Sequence, residues 1–506
     1  MHSGTRSVVA LVLAASAIGA LVVGCGQGTP TAESPANVDT GKWCPTVQGH
    51  AVDCGTVRRQ LVEGKPELGT IDVGYALVRR TRTDTPAAGT LMPNPGGPGV
   101  PLVAHAAEAA AISAGLSDDH DVLLIDPRGT GVSSPLDCEA NEAEHQTGTR
   151  EQQRQMAARC AERLGPKAAG YTSVATVDDF DAVRAKLGID KVVPYGISYG
   201  TYLLPIYAQR HPEHVQSMVL TGAYPHDFDR LQRPNAEAVS LALQRICERS
   251  RECDGTTAVA DLKTTAQRLR TQPITVDGKR PIVLDEAKLA TLVFEAATSG
   301  VGTRPEEMTP LGMLPAALHK AVRGDDGSLR EFVKLATDEP GYENIGVYIA
   351  VACNDYAQLW SQDADPAERE RQYRDALAKG APNGLGAFST EGFSAGQRDG
   401  GDACIRWPGI SGHQRPDQVT TPMPDVPVLV LSGDLDAITP DANGQRVAAR
   451  FPRSTFISVP NTGHVPDLEP SGCVVGIVSQ FVRTGGTGDT ACVPRVPPVA
   501  VAPVTT

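Results

Sequence analysis

A serine stands between two glycines in the sequence G-I-S-Y-G at residues 196–200, which has the spacing G-x-S-x-G. The mostly apolar residues 192–195 predict a short buried strand before it, and residues 201–210 predict a helix after it. On so sharp a strand-to-helix turn, the hydroxyl of Ser198 would stand exposed above a sheet, ready to attack a carbonyl carbon. Because the same five-residue pattern also arises by chance in a glycine-rich chain, this interpretation of Ser198 as a nucleophile depends on its partners.

A serine hydroxyl is a weak nucleophile until a base removes its proton, and His464 is placed for that task. It follows the last predicted strand, residues 455–459, after a turn that contains glycine. Asp436 follows the strand predicted at 426–431 and would hold the imidazole in the required tautomer. Asp434 lies two residues earlier and is the alternative acid, since a small change in the turn would exchange the two carboxylates.

Two further loops follow predicted strands. The loop N-P-G-G-P-G at 94–99 contains three glycines and two prolines, and its backbone N–H groups could bind an oxyanion; a plain turn is the alternative. The second loop, residues 127–131, follows the buried strand 121–126. There Asp126 and Arg128 predict a structural ion pair that holds the loop, with a direct functional role as the alternative.

The elements that position these residues are organised around an α/β core. From residue 89 to 221, predicted strands alternate with helices, which is typical of a parallel sheet covered on both faces. Residues 41–224 therefore form the first part of the core, and residues 225–424 predict a mainly helical cap inserted into it. The core resumes at 425–485, and the tail at 486–506, rich in proline and valine, predicts disorder.

The N-terminus has the pattern of a bacterial export signal. Residues 1–24 combine a thin positive start with an apolar stretch, and the sequence L-V-V-G-C at 21–25 resembles a lipobox. We therefore expect cleavage before Cys25, a lipid anchor on that cysteine and an extracytoplasmic location at the cell membrane. An uncleaved anchor is the alternative and leads to nearly the same location. Residues 25–40 predict a flexible tether.

The composition narrows the class of protein further. Ten of the eleven cysteines remain when Cys25 is set aside, and an even number outside the cytoplasm indicates disulfides. Pairing of neighbours along the chain is the simplest expectation.

The net charge of −13, without a long basic run, argues against nucleic acid as a partner. Without C-x-x-C or H-E-x-x-H there is no support for a zinc site, and we expect neither a metal nor a cofactor.

Five short segments carry a resemblance to a known family: P-G-G-P-G at 95–99, D-P-R-G-T-G at 126–131, G-I-S-Y-G-T at 196–201, C-I-R-W-P at 404–408 and G-D-L-D-A-I-T-P at 433–440. Together they resemble the α/β-hydrolase serine peptidases of the prolyl iminopeptidase and tripeptidyl aminopeptidase type, especially secreted actinobacterial ones. The likeness covers nearly all of residues 45–485. Pro95 replaces the histidine of the iminopeptidases' H-G-G-P-G loop, which points toward the tripeptidyl branch.

This resemblance implies an α/β-hydrolase fold, with a mostly parallel sheet, helices on both faces and an inserted helical cap. It also implies that Ser198 is the nucleophile, His464 the base and Asp436 its orienting acid, with an oxyanion hole made by the backbone N–H groups of Gly97 and Tyr199. The chain order of the first three residues matches that of α/β-hydrolases.

The implied activity is that of an extracytoplasmic serine exopeptidase that cuts peptides near their free N-terminus. A carboxylesterase or lipase with the same three residues is the alternative. A solute-binding lipoprotein is less favoured, because binding alone needs no serine turn with two partners. Asp355 is a candidate for binding the substrate's ammonium group, although a capping aspartate is an equally good interpretation.

Overall fold

The structure is a computed structural model that describes residues 43–505, apart from 114, 279, 298–303, 305–307, 338–342, 398–400 and 411. The predicted signal segment 1–24, Cys25 and the tether 25–40 lie outside the described residues.

A single sheet of eight strands forms the centre of the molecule, in the spatial order β1-β2-β4-β3-β5-β6-β9-β10. The first two strands join antiparallel at one edge, and the remaining six are parallel to one another. The sheet strands are β1 Val52–Gln60, β2 Thr70–Val78, β3 Gly89–Asn94, β4 His120–Ile125, β5 Val193–Ile197, β6 Met218–Thr221, β9 Pro427–Gly433 and β10 Arg453–Val459. A separate hairpin consists of β7 Ile274–Val276 and β8 Ile282–Leu284.

Helices cover both faces of the sheet, which confirms the predicted fold class. Successive residues of β9 show the two-sided burial: Val428 packs into one apolar cluster and Leu429 into the other. The second cluster contains α1 and α15, whereas the first contains α3, α4, α5 and α14. The helices are α1 Ala106–Ile112, α2 Glu142–Thr147, α3 Arg150–Leu164, α4 Ser173–Lys186, α5 Gly200–Arg210, α6 Arg233–Ser250, α7 Gly255–Thr271, α8 Glu286–Ala296, α9 Pro310–Ala321, α10 Gly327–Thr337, α11 Ile345–Asp355, α12 Pro366–Gly380, α13 Thr390–Gly396, α14 Asp441–Ala448 and α15 Cys473–Thr484.

The chain between β6 and β9 is largely helical and contains α6 to α13, together with the β7–β8 hairpin, which the sequence did not predict. We call residues 225–424 the inserted segment. One apolar cluster runs continuously from the sheet into this segment, so no gap in the packing marks its limits. Its predicted boundaries as a separate domain therefore stay a prediction. Among the residues that the structure describes, no helix combines the length and the apolar character needed to cross a membrane.

All ten cysteines among the described residues form disulfides, and each pairs with its neighbour along the chain as expected. The pairs are Cys44–Cys54, Cys138–Cys160, Cys247–Cys253, Cys353–Cys404 and Cys473–Cys492. The fourth joins the C-terminal part of α11 to a turn near the end of the inserted segment, so it braces that segment internally.

Residues 486–505 pack against the rest of the protein, so the predicted disorder of the tail at 486–506 is wrong for these residues. Val499 and Val501 are buried in the same apolar cluster as the inserted helices. The N–H of Ala502 donates to the carbonyl of Gly312 at 2.9 Å. The proline- and valine-rich composition predicted disorder because so short a segment cannot form a core of its own. Instead, Val499 and Val501 of the tail pack into the core that the inserted helices already form.

The loop after β4 is held by buried charges, but not by the predicted pair. Arg128 forms a two-pronged ion pair with Asp179 on α4, with nitrogen–oxygen distances of 2.9 and 2.8 Å. Its remaining nitrogen donates to the carbonyls of Leu61 and Gly170 at 2.8 and 2.6 Å. The predicted ion pair between Asp126 and Arg128 is therefore wrong, because a carboxylate on a neighbouring helix matches the guanidinium fork better.

Asp126 instead serves as a backbone anchor. Its carboxylate accepts the N–H groups of Leu102, Val103 and Val132 at 2.6, 2.8 and 2.8 Å. Burial raises the pKa of this carboxyl group, although the three donors oppose the rise. Leu102 and Val103 lie three and four residues after the glycine-rich loop 94–99, so Asp126 anchors the segment that leaves that loop.

Candidate active site

Ser198 follows β5 directly and has a left-handed backbone, with φ of 54°. Such a conformation is strained for a residue other than glycine and persists only where neighbouring bonds hold it. Its N–H donates to the carbonyl of Thr221 on β6 at 3.1 Å, and its own carbonyl accepts the N–H of Thr201 at 2.8 Å. The serine is therefore fixed at the carboxyl end of the parallel strands, between β5 and α5.

The glycines on either side allow this turn to close. A Cβ atom on Gly196 would lie 2.6 Å from the carbonyl oxygen of Gly200, which is closer than packed atoms can approach. Gly200 in turn lies directly against the carbonyl of Asn94 at the end of β3. The structure thus assigns a steric reason to both glycines of the motif.

His464 and Asp436 are in direct contact. Nδ1 of His464 lies 2.8 Å from Oδ2 of Asp436, and that carboxylate also accepts the hydroxyl of Thr439. The other oxygen of Asp436 accepts the N–H groups of Ile438 and Thr439 at 2.8 and 3.1 Å. The Asp436 side chain is fully buried, while 15% of the His464 side chain remains exposed, so the imidazole can reach a ligand.

This environment keeps the acid ionised. Burial by itself would raise the pKa of Asp436, but the His464 imidazole and the donors from Thr439 hold it below its ordinary value. A buried carboxylate that stays charged can fix the tautomer of the imidazole and stabilise its protonated form.

The end of β6 connects His464 to the serine. A Cβ atom on Gly222 would lie 2.6 Å from the carbonyl oxygen of His464 and 3.1 Å from its Nδ1. Gly222 directly follows Thr221, the residue that accepts the N–H of Ser198. The structure thus brings all three sequence-predicted residues to one end of the sheet, and their catalytic roles stay a prediction.

The alternative acid has other partners. Asp434 is paired with Arg249 on α6, at 3.1 and 2.5 Å for its two oxygens. It also accepts the N–H of Asn461 at 2.8 Å. Of the two carboxylates that the sequence left open, the one in contact with His464 is Asp436.

The glycine-rich loop lies against the serine turn. A Cβ atom on Gly96 would lie 2.9 Å from both the Cβ of Ser198 and the backbone nitrogen of Tyr199. Gly97 has a left-handed backbone, with φ of 102°. The N–H of Asn344, next to α11, donates to the carbonyl of Gly99 at 2.9 Å, which ties the loop to the inserted segment. The loop is thus close enough for its N–H groups to act beside Ser198, and the roles of Gly97 and Tyr199 as oxyanion donors stay a prediction.

Asp355 belongs to an internal network. One carboxylate oxygen accepts the N–H of Ser173 at 2.6 Å, and the other lies 2.9 Å from Nε2 of His413. The hydroxyl groups of Ser173 and Tyr199 lie 2.7 Å apart, so the network reaches the serine turn. Because both oxygens of the fully buried carboxylate have partners, the geometry favours the structural interpretation over binding of a substrate ammonium group.

Sequence reasoning missed Thr439, whose hydroxyl lies 3.0 Å from Nδ1 of His464 in addition to its bond with Asp436. Its position three residues after the acid was a usable signal, because an Asp-x-x-Thr turn can return the hydroxyl to the carboxylate. It also missed Asp467, a buried carboxylate that accepts hydrogen bonds from the hydroxyls of Tyr195 and Thr221. Its position three residues after His464 was the only signal in the sequence.

Comparisons with known proteins agree with this architecture. A family model described as alpha/beta hydrolase fold matches residues 90–271, and one described as TAP-like protein matches residues 390–492. The tripeptidyl aminopeptidase of Streptomyces coelicolor is 24% identical over 483 residues, which cover 88% of this chain and 84% of that protein. The serine protease Hip1 of Mycobacterium tuberculosis is 25% identical, with 79% of each chain covered.

Other relatives carry different names. Carboxylesterase B of Mycobacterium tuberculosis is 28% identical over 441 residues, with 78% of each chain covered. Among solved structures, the proline iminopeptidase of Mycobacterium smegmatis covers 85% of this chain and is itself covered to 98%, with 18% identity and a TM-score of 0.39. A structural likeness at that level has no bearing on the reaction.

Proposed function

We propose that this chain, a serine hydrolase of the α/β-hydrolase fold, is an extracytoplasmic serine exopeptidase that cuts peptides near their free N-terminus. The observation that carries the proposal is the 2.8 Å contact between His464 Nδ1 and Asp436 beside the strained turn of Ser198. The relatives named as peptidases support a peptide as substrate.

In the proposed mechanism, the Oγ atom of Ser198 attacks the carbonyl carbon of the scissile peptide bond. Nε2 of His464 takes the hydroxyl proton, since Nδ1 is engaged with Asp436. The negative oxygen of the tetrahedral intermediate is stabilised by the N–H groups of Gly97 and Tyr199, the latter at the start of α5.

Collapse of this intermediate breaks the peptide bond, and His464 donates its proton to the departing amine. The acyl group remains on Ser198 as an ester. Water, activated by the same imidazole, then hydrolyses that ester and restores the free serine.

The choice of an exopeptidase rests on the tripeptidyl aminopeptidase relatives and on Pro95, which stands where iminopeptidases have a histidine. A carboxylesterase is the second candidate, because one relative with similar coverage carries that name. The same three side chains serve both reactions, so substrate selection must come from the residues around them.

A panel of fluorogenic substrates separates the two candidates: aminoacyl, dipeptidyl and tripeptidyl amides, the same peptides with a blocked N-terminus, and short acyl esters. We expect turnover of free-amine peptides that is lost on blocking, with the tripeptidyl amide preferred. Turnover of esters alone would refute the peptidase and favour the carboxylesterase. Equal turnover of blocked and free peptides would refute the exopeptidase.

The location is a separate part of the proposal and rests on the lipobox-like sequence that ends at Cys25. Two acyl chains on that cysteine would anchor the protein stably, where a single chain is marginal. In a bacterium that processes such signals, the wild type should fractionate with membranes, and Cys25→Ala should not incorporate a labelled fatty acid. Labelling of the variant to the wild-type level would refute lipidation at Cys25.

A further inference from the structure

We propose that Asp467 is a positioning residue for this reaction: it locks the loop that carries His464 onto the two strands that hold Ser198. This inference rests on the proposed function, because it assigns a task to a residue outside the three that react. Asp467 lies three residues after His464 in the short turn Pro466–Leu468, and it is buried.

Both oxygens of Asp467 are bonded to side chains of the sheet. The hydroxyl of Tyr195 on β5 donates to one oxygen, and the hydroxyl of Thr221 on β6 donates to the other. One carboxylate therefore links the loop to two neighbouring strands at once. Hydrogen bonds to a charged acceptor are stronger than those between neutral groups, which suits a fixed attachment.

The two strand residues are those that determine where Ser198 lies. Tyr195 lies on β5, three residues before the serine, and the carbonyl of Thr221 accepts the serine N–H at 3.1 Å. The residue after Thr221 is Gly222, which touches His464. Thr221 therefore bonds both to Ser198, through its carbonyl, and to Asp467 in the His464 loop, through its hydroxyl.

Other bonds hold the opposite side of the loop. The N–H of Leu435 donates to the carbonyl of Thr462 at 3.0 Å, and the N–H of Asn461 donates to Asp434 at 2.8 Å. These contacts fix the start of the loop to the acid turn after β9. Asp467 fixes its end to β5 and β6, so the imidazole lies between two attachments and its distance from the serine is set.

A buried carboxylate is a costly way to fill space. Desolvation raises the pKa of Asp467, and the two hydroxyl donors and the nearby His464 only oppose that rise. An apolar side chain would fill the space without the cost of burying a carboxylate, so packing alone does not account for an acid at this position.

The test compares Asp467→Ala with Asp121→Asn as a control at a second buried aspartate. Asp121 is also a buried aspartate bonded to its surroundings, but it lies near the start of β4, at the amino end of the parallel strands, whereas Ser198 lies at their carboxyl end. We expect Asp467→Ala to lower kcat about 10- to 100-fold, the range caused by small misplacements, with KM changed by no more than about twofold. Asp121→Asn should lower the melting temperature and keep kcat.

A second readout does not depend on turnover. The proton between His464 Nδ1 and Asp436 should give a far-downfield proton resonance, identified by its absence in His464→Gln. This resonance should broaden or vanish in Asp467→Ala and persist in Asp121→Asn. If Asp467→Ala does not fold, Thr221→Val and Tyr195→Phe each remove one of the two bonds, and each should show the same changes in smaller degree.

The outcomes separate the two proposals. An unchanged resonance and unchanged kcat in folded Asp467 variants, with only a lower melting temperature, would overturn the positioning role. If the wild type shows no turnover that depends on Ser198, the proposed function is refuted. If Asp467→Ala still loses the resonance in that case, the positioning of His464 by Asp467 stands.

Discussion

Replacement of Ser198 by alanine is expected to lower kcat/KM by about 10⁴- to 10⁶-fold, whichever substrate the wild type prefers. The variant lacks the only atom that the mechanism places in covalent contact with the substrate. Binding and any oxyanion donors would remain, so a small residual rate over water is expected. Labelling by a fluorophosphonate, which reacts with activated serines, should disappear in parallel.

Ser134 provides the matched control. It also has a left-handed backbone, with φ of 50°, but its hydroxyl bonds to the backbone of Asp72. Ser134→Ala should therefore keep both turnover and labelling. Wild-type labelling that persists in Ser198→Ala would show that the reactive serine lies elsewhere.

The second large effect concerns the acid. Asp436→Asn should lower kcat by about 10⁴-fold near neutral pH, because an amide NH₂ facing Nδ1 favours the wrong imidazole tautomer. Asp434→Asn is the control that the geometry supplies: it loses charge from the pair with Arg249 but none from His464. Its kcat should stay near that of the wild type, because the amide oxygen of the variant can still accept the N–H of Asn461 and keep the start of the His464 loop attached. Equal losses in the two variants would contradict the assignment of the acid.

The lowered pKa of Asp436 should also affect how the free energy of unfolding depends on pH in acid. Its folded pKa lies below the ordinary value, so the unfolded chain takes up this proton at higher pH than the folded one. The resulting stabilisation is complete above the unfolded value of about 3.9 and is lost as the pH falls through the folded pKa. Asp436→Asn lacks this term, and its unfolding free energy should fall less steeply below pH 4 in acid titrations.

The features that follow from local chain geometry were predictable. A serine flanked by glycines between a predicted strand and a predicted helix indicated a sharp turn, and the backbone around Gly196 indeed leaves no room for a side chain. Parallel strands bring their carboxyl ends to one edge, so residues after β5, β9 and β10 had to come together. Neighbouring cysteines paired as expected, and four of the five pairs are separated by 22 residues or fewer, although Cys353 and Cys404 are 51 residues apart.

The features that depend on distant partners were not predictable. Arg128 finds Asp179 fifty-one residues away in sequence, although Asp126 is two residues from it. Asp467 bonds to Tyr195 and Thr221, which are 272 and 246 residues away in sequence. Hydrogen bonds between residues so far apart cannot be inferred from the pattern of a single sequence. The tail was misjudged for a related reason, since its valines are buried by surfaces that other parts of the chain provide.

The ordered tail also has a mechanical consequence. The chain joins the inserted segment to the sheet at its two ends, and the continuous apolar cluster and the hydrogen bond between Asn344 and Gly99 add to these two connections. The tail is anchored to α15 by the Cys473–Cys492 disulfide and bonds to Gly312 and Glu252 within the inserted segment. The tail thus ties α15 to the inserted segment through two backbone hydrogen bonds and the buried side chains of Val499 and Val501.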